Sequence, residues 1–286
     1  MSIPIAELSP QAAAPEIEVA PVIDIAPVIE RQRSWRNPAF RTGALDPAVR
    51  SLLLPRVSFV IPTLNEAKNL PSLLPRIPGW AYEVVIVDGR STDGTVEVAK
   101  RLREDVRIIL EKRPGKGAAL QAGFHAALGD IIVMLDADGS MAPEEAILFV
   151  GALMSGADLV KGSRFVQGAG SDDISVIRML GNWGLTVLVR MLYGCSFSDL
   201  CYGYVAFWRK HVECLRCDCD GFEVETLINV RALRSRLKIV EVASFEAPRI
   251  SGDSNLHAVR DGLRVLSTIL RERVSPCAPM SDYGYP

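Results

Sequence analysis

Between residues 56 and 161, short uninterrupted apolar runs alternate with segments whose apolar positions recur at helical spacing. Val57-Ser58-Phe59-Val60-Ile61-Pro62 reads as a strand stopped by proline, residues 65–74 as a helix, and Glu83-Val84-Val85-Ile86-Val87-Asp88 as a second strand. A helix over 92–104, a strand over 106–110, a helix over 117–128 and a strand over 130–135 continue the alternation. A helix over 143–151 and a strand over 157–161 complete it. Continuous apolar strands separated by helices imply a mostly parallel α/β sheet covered on both faces. In such sheets ligands bind beyond the carboxyl ends of the strands. Those ends are polar here: Pro62-Thr63-Leu64-Asn65-Glu66, Asp88-Gly89-Arg90-Ser91 and Asp136-Ala137-Asp138-Gly139.

After Arg164 the alternation breaks down. Residues 177–192 and 221–233 read as helices and 237–242 as a strand. A last amphipathic helix over 257–273 sets Arg260, Arg264, Arg271 and Arg273 against Val259, Leu263, Leu266, Ile269 and Leu270. At the other end, residues 1–54 are rich in Ala and Pro, with Ala-Pro-Val-Ile at 20–23 and again at 26–29. Prolines interrupt every periodic segment there, so a flexible extension is expected. The expected organisation is that extension, one domain over 55–256, an amphipathic helix over 257–275 and a disordered tail over 276–286.

Composition narrows the classes. A chain of 286 residues holds one large α/β domain or two small ones. The net charge of −2 and pI near 6 give no basic surface of the kind that binds nucleic acid. No apolar run reaches the roughly 20 residues of a membrane-spanning helix, and residues 1–20 lack a secretory signal pattern. A cytoplasmic protein is expected, with a peripheral seat on the cytoplasmic membrane face as an option. Of six cysteines, five fall between Cys195 and Cys219. No second Cys-x-x-Cys or His pair accompanies them, so reduced thiols are expected rather than a zinc site.

The chemistry centres on Asp136 and Asp138, two carboxylates two residues apart where an apolar strand ends. Such a pair can share one hard divalent cation, and magnesium completes its octahedron with water and substrate phosphates. Asp88, at another strand end, can accept hydrogen bonds from a base or ribose, with Pro62 and Glu66 on the opposite wall; Asp93 is expected to cap. Gly115-Lys116-Gly117 opens a helix, whose free N–H groups favour anions.

These motifs, in this order, resemble a family 2 glycosyltransferase, and most of all the polyprenyl-phosphate hexosyltransferases of the dolichol-phosphate mannosyltransferase type. The likeness runs over residues 57–273. It implies a GT-A (Rossmann-like) fold and an inverting transfer dependent on Mg²⁺ or Mn²⁺. Asp136 and Asp138 would be the metal ligands; Ser140 stands where relatives often carry Gln. Donor contacts are implied at Pro62, Leu64, Glu66, Val87, Asp88, Lys116, Gly117, Asp136 and Ala137. Relatives hold the acceptor phosphate with arginines that match Arg164, Arg178 and Arg249, with Asn182 where a serine stands elsewhere. Arg249 opens Arg-Ile-Ser-Gly-Asp-Ser-Asn-Leu over 249–256, a loop suited to closing over both substrates.

The expected reaction moves mannose or glucose from a GDP- or UDP-sugar to polyprenyl (dolichyl or undecaprenyl) phosphate, with membrane-surface contact and no nucleic-acid partner. A phosphate acceptor is already anionic, whereas a hydroxyl needs a general base within hydrogen-bond reach. Asp199, Glu223 and Glu225 are the base candidates, and Asp199 joins Asp136, Asp138 and Arg249 as a catalytic candidate. One alternative is transfer to a soluble or natural-product hydroxyl. A second is a non-catalytic nucleotide-sugar-binding protein. Oligomeric state is open.

Overall fold

The computed structural model describes residues 54–252 and 257–275. The expectations for residues 1–53, for 276–286 and for positions 253–256 of the Arg249 loop lie outside the described residues.

The strands are β1 Val57–Thr63, β2 Glu83–Asp88, β3 Arg107–Leu110, β4 Ile131–Met134, β5 Leu159–Ser163, β6 Gly170–Ser171, β7 Val205–Trp208, β8 Ile239–Ala243 and β9 Phe245–Glu246. The helices are α1 Leu70–Leu73, α2 Thr95–Leu102, α3 Lys116–Ala126, α4 Ala146–Met154, α5 Val176–Tyr193, α6 Val212–Leu215, α7 Val224–Arg234 and α8 Ala258–Val274. A seven-stranded sheet runs β3-β2-β1-β4-β7-β5-β8, and β6 pairs with β9 beside it. β1 lies parallel to both β2 and β4. β7 is antiparallel to both its neighbours, β4 and β5. This is the mostly parallel, helix-flanked GT-A sheet, with one reversed strand that the apolar pattern did not reveal.

Side-chain alternation splits the core in two. Phe59, Ile61, Val84 and Ile86 face one helix layer, where Phe149 stacks on Tyr204 with ring centroids 4.2 Å apart. Val60, Val85 and Val87 face the other, with Leu120, and Phe124 meets Phe207 edge-on at 5.1 Å. Successive strand residues point to opposite faces and every position of β2 is buried, so its interior Val84–Val87 reads as unbroken apolar residues between two acidic ends.

The helix expected over 65–74 shrinks to α1 and a following 3₁₀ turn at Leu74–Arg76. The N–H groups of Asn65, Glu66 and Ala67 are taken by the side chains of Ser91, Thr95 and Asp93, at 2.8, 2.9 and 3.0 Å. Asn65 itself adopts a positive φ of 59° and accepts from the Thr92 N–H. Side-chain acceptors have replaced the helical ones, and the first loop is latched to the β2–α2 loop. Asp93 also accepts from the Thr95 N–H at the start of α2, the capping role expected of it.

Candidate active site

A cleft of about 800 Å³ opens at the carboxyl ends of β1, β2 and β4. Its walls come from Pro62, Leu64 and Glu66 after β1, Gly89 and Arg90 after β2, Gly115 and Lys116 at α3, and Asp136-Ala137-Asp138 after β4. Asp220, Gly221 and Phe222 before α7, Arg249, and Arg260, Asp261 and Arg264 on α8 complete it.

The two floor carboxylates are each matched by a cation. Lys116 Nζ lies 2.6 Å from Asp136 Oδ1 and 2.9 Å from Oδ2, and donates to Glu225 Oε1 at 2.6 Å. Burial would depress the Lys116 pKa, but Asp136 and Glu225 outweigh it and hold the ammonium charged. Burial raises the Glu225 pKa, against the pull of Lys116. At Asp138, Oδ2 faces Arg249 Nη2 at 2.9 Å, and Oδ1 accepts from the N–H and hydroxyl of Ser140 at 3.0 and 2.7 Å. Arg249 also reaches Glu66 Oε1 at 3.7 Å, and burial pushes the Glu66 pKa up. Among the described residues no cluster of three or more His, Cys, Asp or Glu side chains is placed to hold a metal. The Asp136–Asp138 pair is the acidic set that could hold one here, with the remaining positions left to water and phosphate oxygens.

Three donor-side expectations change. Val87 is fully buried in β2, facing the core. Asp88 is also buried, and its Oδ2 accepts the N–H groups of Arg90 and Ser91, each at 3.0 Å, so the carboxylate holds the turn that presents Gly89 and Arg90 to the cleft. The N–H of Gly117 is not free for an anion, because it donates to Asp220 O at 3.0 Å. That approach explains the glycines. A Cβ at Gly115, whose φ is +104°, would lie 1.9 Å from Asp220 O, and one at Gly117 would lie 2.0 Å from Cys219 O.

The arginine trio expected for the acceptor is not gathered in the cleft. Arg164 is buried, donating from Nε to Asp199 Oδ2 at 2.7 Å, from Nη2 to Oδ1 at 3.0 Å and from Nη1 to Glu246 at 3.1 Å. Its guanidinium lies over the Tyr202 ring at 4.8 Å. Asp199 is completely buried. Burial opposes its charge, but Arg164 holds its carboxyl below the usual range. Neither group lines the cleft, so Asp199 acts as a structural counter-ion rather than a base in this arrangement. Arg178, on the first turn of α5, pairs with Asp173 at 3.3 Å. The Asn182 amide oxygen accepts the N–H groups of Leu200 and Cys201 at 3.3 and 2.9 Å. Only Arg249 of the trio reaches the cleft.

Sequence reasoning did not assign Asp220–Phe222, Arg260, Asp261 or Arg264 to the site. The α8 arginines had been visible as the polar stripe of an amphipathic helix; nothing in their spacing said which way the helix docks. The cysteines from Cys195 to Cys219 are free thiols, and burial pushes Cys201 and Cys219 up to about 12.

A GT-A sheet carrying an Asp-x-Asp pair on the floor of a cleft at its strand ends defines a glycosyltransferase. The Glycosyl transferase family 2 model matches residues 58–216, and the chain belongs to that family. It is 33% identical over 210 residues to the dolichol-phosphate mannosyltransferase of Pyrococcus furiosus, covering 70% of this chain and 59% of that one. It is 44% identical to an uncharacterised glycosyltransferase of Mycobacterium tuberculosis, over 70% of this chain and 89% of its relative. Among solved structures it is similar to glucosyl-3-phosphoglycerate synthase from Mycobacterium tuberculosis in complex with Mn²⁺, uridine diphosphate and phosphoglyceric acid. That match has 26% identity and a TM-score of 0.62, and covers 78% of this chain and 80% of that one.

Proposed function

We propose that this enzyme transfers a hexose, mannose or glucose, from a nucleotide-diphosphate sugar to a polyprenyl phosphate with inversion at the anomeric carbon. The observation that carries the reading is the Asp136–Asp138 pair, set on one cleft floor with Lys116 and Arg249 against it. Asp136 and Asp138 would hold Mg²⁺ or Mn²⁺; the bound ion would neutralise charge on the departing diphosphate. Lys116 and Arg249 are placed to donate charge-assisted hydrogen bonds to phosphate oxygens. Glu225 keeps the Lys116 ammonium in place beneath them. As the bond from the anomeric carbon to the diphosphate oxygen breaks, an acceptor phosphate oxygen forms the new bond from the opposite face. That oxygen is already anionic, and the burial of Asp199 against Arg164 fits a reaction without a general base.

Membrane contact is supported by side chains near the cleft's outer helices. Ile177, Leu180 and Trp183 on α5 are exposed, as are Val259, Leu263 and Leu270 on α8, which packs beside α5. No helix among the described residues is long and apolar enough to cross a membrane. An interfacial seat for these faces suits a lipid-linked acceptor. A second reading, transfer to a water-soluble phosphorylated acid, is favoured by the structural likeness to glucosyl-3-phosphoglycerate synthase.

Incubating the purified protein with Mn²⁺ or Mg²⁺, labelled GDP- and UDP-sugars and either total lipid extract or phosphoglyceric acid as acceptor, then partitioning the products, tests both. Label in the organic phase, lost when the lipid extract is omitted and restored by added polyprenyl phosphate, is expected. Label confined to water with every donor rejects the lipid acceptor.

A further inference from the structure

Four non-glycine residues among the described ones hold a positive φ, and three have a local reason for it. Asn65 is of a residue type that tolerates the conformation. Arg216 and Arg236 sit just past helices α6 and α7, where chains often turn left-handed. Arg90, with a φ of 73°, ends no helix; it lies between β2 and α2 on the cleft wall, and it is exposed. Its turn is pinned on both sides. Asp88 Oδ2 accepts the N–H groups of Arg90 and Ser91, and Ser91 Oγ accepts the Asn65 N–H from the loop after β1. Among the described residues no carboxylate lies within ion-pair distance of the Arg90 guanidinium. A strained backbone held rigid to present an unpartnered donor group points to a ligand.

Strand register places this group relative to the Asp136–Asp138 pair. The sheet runs β2-β1-β4 here, with Thr63 opposite Asp88 and Val60 opposite Met134. Two strand spacings, about 10 Å, separate β2 from β4. Between them the cleft is lined by Pro62 and Leu64, the latter 45% exposed. A diphosphate held at Asp136 and Asp138 would lay its nucleoside across that apolar step, with an edge of the base toward Arg90. We propose that Arg90 reads that edge and makes the cleft selective for a 6-oxopurine, guanine, over uracil. This rests on the nucleotide-diphosphate-sugar reading above and adds the base. Guanine offers two adjacent acceptors, O6 and N7, to the parallel donors of a guanidinium, whereas a pyrimidine such as uracil offers O4 alone on the corresponding edge. The Asp88 carboxylate lies beside Arg90, so the direction of its donors, rather than net charge, is what discriminates.

The test is calorimetric titration of the full chain with GDP, IDP, ADP and UDP in the presence of Mn²⁺, comparing wild type with Arg90→Gly and Arg90→Lys. GDP and IDP share O6 and N7 and are expected to bind wild type more tightly than UDP, or than ADP, whose 6-amino group is a donor. Arg90→Lys keeps the charge without the fork. Either substitution should weaken GDP and IDP by roughly tenfold to a hundredfold, the scale of a bidentate arginine–guanine pair, and leave ADP and UDP near their wild-type affinities. In turnover, the preference for GDP-hexose over UDP-hexose in kcat/KM should shrink by the same factor. Thermal melting checks folding, and Arg90→Gly should melt no lower than wild type, since glycine takes a positive φ without steric cost. Equal losses for GDP and UDP overturn the proposal, because the guanidinium then meets the phosphates that both share. Full GDP affinity in Arg90→Lys, or in folded Arg90→Gly, overturns it too. Wild-type protein that binds UDP as tightly as GDP rejects the base selectivity and keeps the nucleotide-sugar reading; failure to bind any of these nucleotides rejects both.

Discussion

Arg164→Ala separates two roles for one arginine, anchor of the fold or ligand for a substrate phosphate. Its guanidinium makes three side-chain hydrogen bonds, two to Asp199 and one to Glu246, and Asp199 has no exposed surface. Truncation to alanine would leave a buried carboxylate without its counter-ion, at a cost of about 3–5 kcal/mol when one partner of a buried pair is removed. Lys161 is fully buried nearby and its charge also favours ionised Asp199, but its Nζ donates to the backbone oxygens of Asp199 and Gly162, so it replaces none of the lost side-chain hydrogen bonds. At roughly 2–4 °C per kcal/mol for a domain of this size, the melting temperature should fall by about 6–20 °C. Circular dichroism melts measure it. Replacing the pair together, Arg164→Met with Asp199→Leu, should recover part of the loss, because no ion is then stranded. A folded Arg164→Ala protein that melts within about 2 °C of wild type and shows a large rise in acceptor KM would refute the structural assignment; Arg164 would then be a phosphate ligand.

Asp138→Asn should lower transfer by roughly 10²-fold or more, the scale of losing a key electrostatic group at a reacting centre, and weaken Mn²⁺ binding measured by electron paramagnetic resonance. Lys116→Met removes the cation between Asp136 and Glu225 and should raise the donor KM roughly tenfold, read by initial rates. Gly117→Ala places a methyl about where Cys219 O already sits; a loss of about 1–3 kcal/mol, the usual scale of overpacking, should appear in the urea midpoint. The pH dependence follows from Asp199. Its folded pKa lies below its ordinary value, so its stabilisation is present above the unfolded pKa near 4 and is lost as pH falls through the folded value. Acid unfolding followed by fluorescence should therefore begin below about pH 4, and Asp199→Asn should flatten that slope while lowering stability at neutral pH.

Much of the sheet was legible because its strands are buried on both faces. β2 spans the run Glu83–Asp88 that the apolar pattern marks, and α5 and α8 fall within a residue of their expected bounds. β7 was missed because Val205-Ala206-Phe207-Trp208 is only four residues long, and its partners are set by the sheet rather than by its neighbours in sequence. The helix over 65–74 was over-read because the competitors for the N–H groups of Asn65, Glu66 and Ala67, the side chains of Ser91, Thr95 and Asp93, lie some 26–29 residues away. At the site, Asp136, Asp138, Glu66, Lys116 and Arg249 were legible as residues at strand ends or in marked motifs. Burial was not legible, so Arg164 and Asp88 looked as available as Arg249. Arg260 and Arg264 were hidden for the opposite reason, since an amphipathic stripe does not say whether its polar side meets solvent or a cleft.

The reversed strand β7 has a consequence for how the chain is made. It fills the sheet position between β4 and β5, yet is synthesised more than 40 residues after β5 begins. Until residue 208 has left the ribosome, β4 carries one unpaired edge and β5, whose partners are β7 and β8, carries two. Such edges are templates for pairing with other chains. A nascent or truncated chain ending near residue 200 would therefore hold the Asp-x-Asp pair on an unfinished sheet, prone to aggregate. Joining β4 to β5 is a late event that waits for four residues, Val205–Trp208.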